Sequence, residues 1–168
     1  HHRLVGSEMC IRDSVPGGLA SSPFDNEGVS TQVRNIVEDG ILQGYLLSTY
    51  SARKLNMQTT GNAGGLHNVY LNHSHKSFDE LITDLNTGLL VTELIGHGVN
   101  TVTGDYSRGA SGFWVEDGEI RYPVQEITIA GNLADMFKNI SAVGSDVDTC
   151  GSIQCGSILL NNMTVAGA

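Results

Sequence analysis

Hydrophobic and polar positions along this chain follow two kinds of pattern. After Gly88, short runs rich in β-branched and aromatic residues are separated by glycines, which is typical of strands joined by tight turns. The runs predicted to form strands are LLVTELI, VNTVTGDYS, SGFWVE, GEIRYP and EITIAG. The pairs Asp39-Gly40 and Asp117-Gly118 each stand between two such runs, and Asp-Gly suits the type I′ turn of a hairpin. The pattern predicts an α+β fold, predominantly antiparallel β in barrel-like or sandwiched sheets, with two or three short helices.

The helices are predicted from capping residues that precede the segments TYSARKL, FDELITDLN and LADMFKNI. Ser48, Ser77 and Asn132 stand directly before these segments, and their side chains can accept a hydrogen bond from a free backbone N–H. Glu80 follows Ser77 by three residues, which is the spacing of a capping box. The second segment also has an apolar face at helical spacing. That face consists of Phe78, Leu81, Ile82 and Leu85.

Composition narrows the possible functions. The chain has 168 residues, which is enough for one domain with a hydrophobic core. A net charge of -9 argues against a nucleic-acid partner, because phosphate binding needs a basic surface. No run approaches the roughly 20 apolar residues of a membrane helix, so no membrane partner is expected. Three cysteines are too few for a disulfide framework, and a reducing cytoplasm is the simplest location.

The first residues look foreign to the rest of the chain. RLVGSEMCIRDS shows no periodicity and reads as a translated frame of a sequencing adapter. We therefore expect residues 1–14 to be a non-native, adapter-derived or disordered segment, and exclude them from fold reasoning. Residues 15–168 are then one domain, a fragment of a longer protein.

The segment LLVTELIGHGV resembles half of a zinc-peptidase helix. Glu93 and His97 are four residues apart, but Thr92 stands where the first histidine ligand would be needed. The glycines at positions 96 and 98 and the β-branched neighbours favour a strand, in which the metal geometry is lost. The pattern therefore predicts no metal site here.

Other residues with suitable chemistry do not form a complete catalytic set. His67, His73 and His75 lack a carboxylate or cysteine at ligand spacing, so a solvated loop is the simpler interpretation. Cys150 and Cys155 are separated by four residues, whereas structural zinc favours C-x-x-C pairs.

The segment GDYSRGASGFWVEDGE also lacks a complete catalytic set. Arg108 stands between Asp105 and Glu116, and such an arginine more often forms a structural ion pair than a site. Ser107 and Ser111 lack the G-x-S-x-G context of a serine nucleophile. The adjacent Phe113 and Trp114 would point to opposite faces of a strand.

Longer segments carry a more specific signal. They are SSPFDNEGVSTQVRNIVEDGILQGYLLSTYSARKL, MQTTGNAGG, TGLLVTELIGHGVNTVTGDYSRGASGFWVEDGEIRYPVQEITIAGNLADMFKNI and IQCGSILLNNMTVAG. Together they resemble the C-terminal region of PmbA-type members of the TldD/PmbA family of metallopeptidase-related proteins. The resemblance extends from Gly18 to Gly167, and GDYSRGASGFWVE followed by YPVQEITIAGNL is its most specific part.

The resemblance implies a cytoplasmic, two-subunit zinc peptidase that digests unstructured polypeptides and trims leader peptides. The TldD-type subunit carries the zinc motif H-E-x-x-x-H upstream of this region, and the PmbA-type subunit generally lacks it. This chain would then hold no cofactor, bind a TldD-type subunit, and help to line a channel for extended peptides. The alternative is an independently active metallopeptidase whose metal site lies in the missing upstream part.

The resemblance also suggests individual residues. Thr149-Cys150-Gly151 is similar to the context of a zinc-binding cysteine in TldD-type subunits, but the glycine-rich residues that follow it there are absent. Cys150 is therefore a weak metal candidate. For the channel or the subunit interface we expect two glycine-rich segments, the alternative being ordinary turns. Their residues are Gly61, Asn62, Gly64 and Gly65 in the first segment, and Asp105, Tyr106, Arg108, Phe113 and Trp114 in the second.

Overall fold

The structure is a computed structural model, and it describes residues 8–13, 17–18 and 20–167. Within these residues, contacts divide the chain into two compact units. The first contains the described residues up to 73 together with residues 146–156, and the second contains residues 74–145 and 157–167. That residues 15–168 form one domain, as the sequence predicts, stays a prediction.

The described residues form strands and short helices in an α+β arrangement. In chain order they are β1 Met9–Arg12, β2 Val33–Glu38, β3 Ile41–Leu42, α1 Thr49–Lys54, β4 Val69–Leu71, α2 Phe78–Leu85, β5 Gly88–Ile95, β6 Asp105–Glu116, β7 Glu119–Asn132, α3 Leu133–Lys138, β8 Ile140–Val143, β9 Ile153–Gln154, β10 Ile158–Leu160 and β11 Thr164–Ala166.

The first unit is built on a sheet with the strand order β3-β2-β1-β4-β9. Strand β1 pairs antiparallel with both β2 and β4, and only the short β4–β9 pair is parallel. The turn between β2 and β3 has positive φ at Asp39 (50°) and Gly40 (72°), as a type I′ turn requires. This confirms the first predicted hairpin.

Strand β1 falls in the segment that we expected to be foreign or disordered. Met9–Arg12 instead form the middle strand of the sheet, and Ile11 is fully buried. The expectation of disorder is wrong for these residues, because β2 and β4 supply backbone partners on both sides whatever the local periodicity. The origin of the segment as translated adapter stays a prediction, and residues 1–7 and 14 lie outside the described residues.

The second unit contains a four-stranded antiparallel sheet, β11-β7-β6-β5, and a two-stranded sheet, β10-β8. Its long hairpin β6–β7 turns at Asp117 (φ 55°) and Gly118 (φ 72°), which confirms the second predicted hairpin. The runs SGFWVE, GEIRYP and EITIAG, separate in the sequence pattern, belong to these two long strands. The centre of the sheet is buried at Ala110, Ile127 and Ile129.

The run VNTVTGDYS was expected to be one strand, but β6 begins only at Asp105. The Asn100 side chain accepts hydrogen bonds from the backbone N–H groups of Val102 (2.9 Å) and Thr103 (3.2 Å). This Asx-type turn competes with strand formation. The prediction was therefore wrong for the residues before Asp105.

All three predicted helices and their caps are confirmed. Ser48, Ser77 and Asn132 each accept a hydrogen bond from a backbone N–H of the first turn. At α2 the capping box is complete, since the Ser77 hydroxyl accepts from Glu80 N (3.3 Å) while Glu80 Oε2 accepts from Ser77 N (2.7 Å). No helix in the described part of the chain is long and apolar enough to cross a membrane.

Candidate functional site

A large concave feature lies within the second unit. It is a cavity of about 660 Å³ with a mainly apolar lining. Apolar cavities with a few polar groups are the usual sites of ligand binding. The lining comes from helices α2 and α3, strand β5, Tyr106 and Ile129 of the central strands, and strands β10 and β11.

One wall of the cavity is helix α2. Its apolar residues recur at i, i+3, i+4 and i+7, so they form one face of the helix, as the sequence predicts. Phe78, Leu81, Ile82 and Leu85 all line the cavity, and Leu81 and Ile82 are buried. The capping box fixes where this face begins, and the backbone N–H of Ser77 helps to lower the pKa of Glu80.

Two strand edges border the cavity. Strand β5 is the last strand of the four-stranded sheet, and β10 belongs to a sheet of only two strands, so each has a side without a strand partner among the described residues. Every residue from 88 to 94 and from 157 to 160 lines the cavity. Since alternate side chains of a strand point to opposite faces, an unbroken run indicates that the cavity meets the edges of these strands. Backbone groups at such edges can pair with another extended chain.

Most of this cavity could not be predicted from the sequence. The run LLVTELI is a predicted strand and α2 has a predicted apolar face, but no local signal shows that β5 lies at an edge of the sheet. The packing partners Met136 and Met163 also come from distant segments. The apolar periodicity of α2 was the one local indication of the cavity, because it predicts a helix face that packs against other residues.

The predicted residues of β6 occupy different positions in the second unit. Tyr106 lines the cavity, whereas Asp105 is exposed and accepts a hydrogen bond from the Thr103 hydroxyl (2.6 Å). Phe113 is exposed and the adjacent Trp114 is half-buried. The cavity therefore takes in one of the predicted aromatic residues and leaves the other two outside its lining.

Arg108 does not form the structural ion pair that the sequence suggested as the alternative to a site. No ion pair joins it to Asp105, Glu116 or any other carboxylate in the described residues. Its Nη2 donates a long hydrogen bond to the Leu94 carbonyl (3.4 Å), and its Nε is buried without a partner. An ion pair with Asp105 does not form, because residues three apart in a strand point to opposite faces.

The other predicted segment, GNAGG, belongs to the first unit. Asn62 is buried, donating from Nδ2 to Asp13 (3.1 Å) and accepting from Arg34 (2.9 Å). Gly61 has φ 68°, and a Cβ there would collide with the Ser30 carbonyl oxygen, so a larger residue cannot replace it without movement. Within its unit the segment is a hydrogen-bonded turn, and its role in a channel stays a prediction.

The metal candidates from the sequence each make contacts of another kind. Cys150 is exposed, and its backbone N–H donates to Asp148 (2.8 Å). The Cys155 thiol donates to the Gly156 carbonyl (3.0 Å), and burial raises its pKa. Glu93 lies in a strand, as predicted, and accepts from the Ser111 hydroxyl (3.3 Å). No group of three or more His, Cys, Asp or Glu side chains that could hold a metal occurs in the part of the chain that the structure describes.

Comparison with known proteins identifies the family. The model of the PmbA/TldA metallopeptidase C-terminal domain matches residues 2–167. The chain belongs to this family. The resemblance noted in the sequence and the expected fold class are thereby confirmed.

Relatives with high identity are PmbA proteins. The chain is 59% identical over 150 residues to the metalloprotease PmbA of Escherichia coli O157:H7, covering 89% of this chain and 33% of the relative. The PmbA homologue of Haemophilus influenzae is also 59% identical, with the same coverage of both proteins. The chain thus spans about a third of the length of these relatives.

Solved structures share the fold. A candidate modulator of DNA gyrase from Bacteroides thetaiotaomicron is 30% identical with a TM-score of 0.89, covering 96% of this chain and 37% of that one. TldE from Thermococcus kodakarensis is 25% identical with a TM-score of 0.81, covering 96% of this chain and 40% of that one. These similarities support the α+β, mostly antiparallel fold described above.

Proposed function

We propose that this chain is the C-terminal part of a PmbA-type subunit of a zinc peptidase that it forms with a TldD-type subunit. The assembly digests unstructured polypeptides and trims leader peptides in the cytoplasm. In this proposal the PmbA-type subunit is the non-catalytic partner, and it contributes binding surface for the peptide.

The assignment to the PmbA type is supported by a comparison within one organism. The chain is 59% identical to the PmbA homologue of Haemophilus influenzae but 29% identical to the TldD homologue of the same organism. An organism that holds both types provides the two subunits that the proposal requires.

The observation that carries the peptide-binding part of the proposal is the cavity between the edges of β5 and β10. An extended peptide can add to an exposed edge through its main-chain N–H and C=O groups, and side-chain pockets then provide selectivity. The apolar lining and the volume of about 660 Å³ suit a short stretch of apolar side chains. An unstructured polypeptide has its backbone free for such pairing, whereas a folded protein does not.

The metal that the family name implies has no matching donor set among the described residues. A zinc site needs three or four His, Cys, Asp or Glu ligands, and no group of three such side chains that could hold a metal is found there. In the proposal, zinc is held by the TldD-type subunit.

A second candidate is an independently active metallopeptidase. It is favoured by the name of the Escherichia coli relative, which is itself a metalloprotease. Since about two thirds of such a relative lie outside the aligned part, the ligands would belong to that remaining part.

The two candidates are separated by a cleavage assay on the full-length protein. It would be incubated with an unstructured peptide alone, and again with a TldD-type subunit from the same organism. Cleavage only in the mixture, abolished by a chelator, is the expected result. Chelator-sensitive cleavage by this protein alone would replace the partner-subunit proposal with the second candidate.

A further inference from the structure

The side chain of Arg108 has a buried donor without a hydrogen-bond partner. A guanidinium presents five N–H donors and is always charged. Here Nε is buried without an acceptor, and the one hydrogen bond of the side chain, from Nη2 to the Leu94 carbonyl, is long at 3.4 Å. Buried donors without acceptors are rare because each costs free energy. Such an arginine indicates a missing acceptor.

The lack of an acidic partner is unusual in so acidic a chain. The sequence holds 18 Asp and Glu residues against 9 Lys and Arg residues. Arg121, on the neighbouring strand β7, pairs with Glu119 (2.8 Å) and Asp117 (3.7 Å). Arg108 forms no ion pair with any described carboxylate. Its charge is therefore available to a negative group from outside the described residues.

Arg108 stands next to the cavity described above. It lies opposite Ile129 in the β6–β7 pairing and shares a face of β6 with Tyr106, two residues away. Both Ile129 and Tyr106 line the cavity, as does Leu94, whose carbonyl accepts the Arg108 hydrogen bond. Arg108 is not itself part of the lining, but its Nη2 lies 3.4 Å from the carbonyl oxygen of Leu94, which does line the cavity.

The ligand that fits this arrangement has an apolar body and a negative end. The one charged residue of the cavity lining, Glu93, already accepts from the Ser111 hydroxyl. An arginine can bind a carboxylate with two parallel hydrogen bonds. Strand β5 ends at Ile95, one residue beyond Leu94. A peptide strand added along β5 would therefore lose its backbone partner close to the Leu94 carbonyl to which Arg108 donates.

From these observations we propose that Arg108 binds the C-terminal carboxylate of an extended peptide whose last residues occupy the apolar cavity. This role of Arg108 rests on the proposed function, because it assumes that a peptide binds beside β5. The new element is the end of the peptide that is recognised. Arg108 is a binding residue in this proposal and takes no part in bond cleavage.

The test measures peptide binding to the full-length protein by fluorescence anisotropy. The probes are an N-terminally labelled unstructured peptide ending in leucine, with a free C-terminal carboxylate, and the same peptide as its C-terminal amide. We expect the free acid to bind about tenfold more tightly, because hydrogen bonds to charged groups are the strong ones. Arg108→Gln should remove this preference, Arg108→Lys should keep part of it, and the matched control Arg121→Gln should leave it unchanged.

Several outcomes would overturn the proposal. They are equal binding of acid and amide by the unaltered protein, no binding of either, or a preference that survives Arg108→Gln. Equally tight binding of an amidated peptide with an internal glutamate would show that the terminal carboxylate is not what is recognised. If Arg108→Gln does not fold, an undiminished preference in Arg108→Lys together with a lowered melting temperature would mean that Arg108 pairs with a carboxylate of its own protein. The cleavage assay with the TldD-type subunit separates the two proposals. Failed cleavage with a retained preference for the free acid would count against the proposed function, and retained cleavage without that preference would count against the role of Arg108.

Discussion

Replacing Gly112 with alanine tests the contact between β5 and β6, on which the position of the cavity depends. Gly112 pairs with Val91 of β5. A Cβ at position 112 would overlap the Leu90 carbonyl oxygen and lie 2.9 Å from the Leu90 carbonyl carbon and 3.0 Å from Val91 Cα. All three atoms belong to the backbone, so no side-chain rotation can relieve the overlap.

The expected loss of stability follows from two opposing terms. A Gly→Ala change that fits its site stabilises a protein by about 0.4–1 kcal/mol through the unfolded chain. Overpacking costs about 1–3 kcal/mol, and the upper part of that range applies where backbone must move. Gly112→Ala should therefore lose about 2 kcal/mol, which corresponds to roughly 4–8 °C in melting temperature for a chain of this size.

The same strand offers a matched control. At Gly109 a Cβ would lie 3.4 Å from Ile95 Cβ and 3.6 Å from its carbonyl oxygen, which is close to ordinary contact. Gly109→Ala should therefore change the melting temperature little. Trp114 is the single tryptophan of the chain and lies in β6, so its fluorescence reports melting of the second unit. If the two variants melt at the same temperature, β5 does not pack against Gly112 as described and the reasoning is refuted.

Three further predictions concern the helix cap and the cysteines. Ser77→Ala should destabilise α2 by about 1 kcal/mol, because the cap is lost. The measurement is the rate of amide hydrogen exchange in the first turn of α2, which should increase. The lowered pKa of Glu80 means that its contribution is present above the pKa of the unfolded chain and is lost as the pH falls through the folded value. Glu80→Gln should therefore show a smaller loss of melting temperature on acidification. An alkylating reagent should modify exposed Cys150 first, because burial raises the pKa of the Cys10 and Cys155 thiols; mass spectrometry showing equal rates would contradict this.

Features of the fold that depend on a few neighbouring residues were predictable from the sequence. The capping box of Ser77 and Glu80 and the turn at Asp117-Gly118 are both local, and both occur where the pattern placed them. Strand β1 was missed because its stability comes from two partner strands that are distant in sequence. The strand expected before Asp105 was wrong because the Asn100 side chain closes a turn there.

The candidate site was predictable only in part, for a related reason. Arg108 and Tyr106 were selected from the sequence, but their relation to a cavity depends on the position of β5 at the edge of a sheet and on residues of β10 and β11. Edge position is a property of the complete strand order, which no window of the sequence contains. The missing ion pair of Arg108 likewise depends on which face of β6 each side chain occupies.

The two parts of the proposed binding site would select peptides in different ways. Pairing along an edge of β5 uses main-chain groups, which every peptide has, so it tolerates many sequences. A carboxylate held by Arg108 occurs once per chain at the C-terminus, so it would fix the direction and register of the bound peptide. A subunit that combines them can accept diverse unstructured chains and still present each one to its partner in a defined register. Loss of the guanidinium should therefore change where a peptide is cut more than whether it is bound along β5.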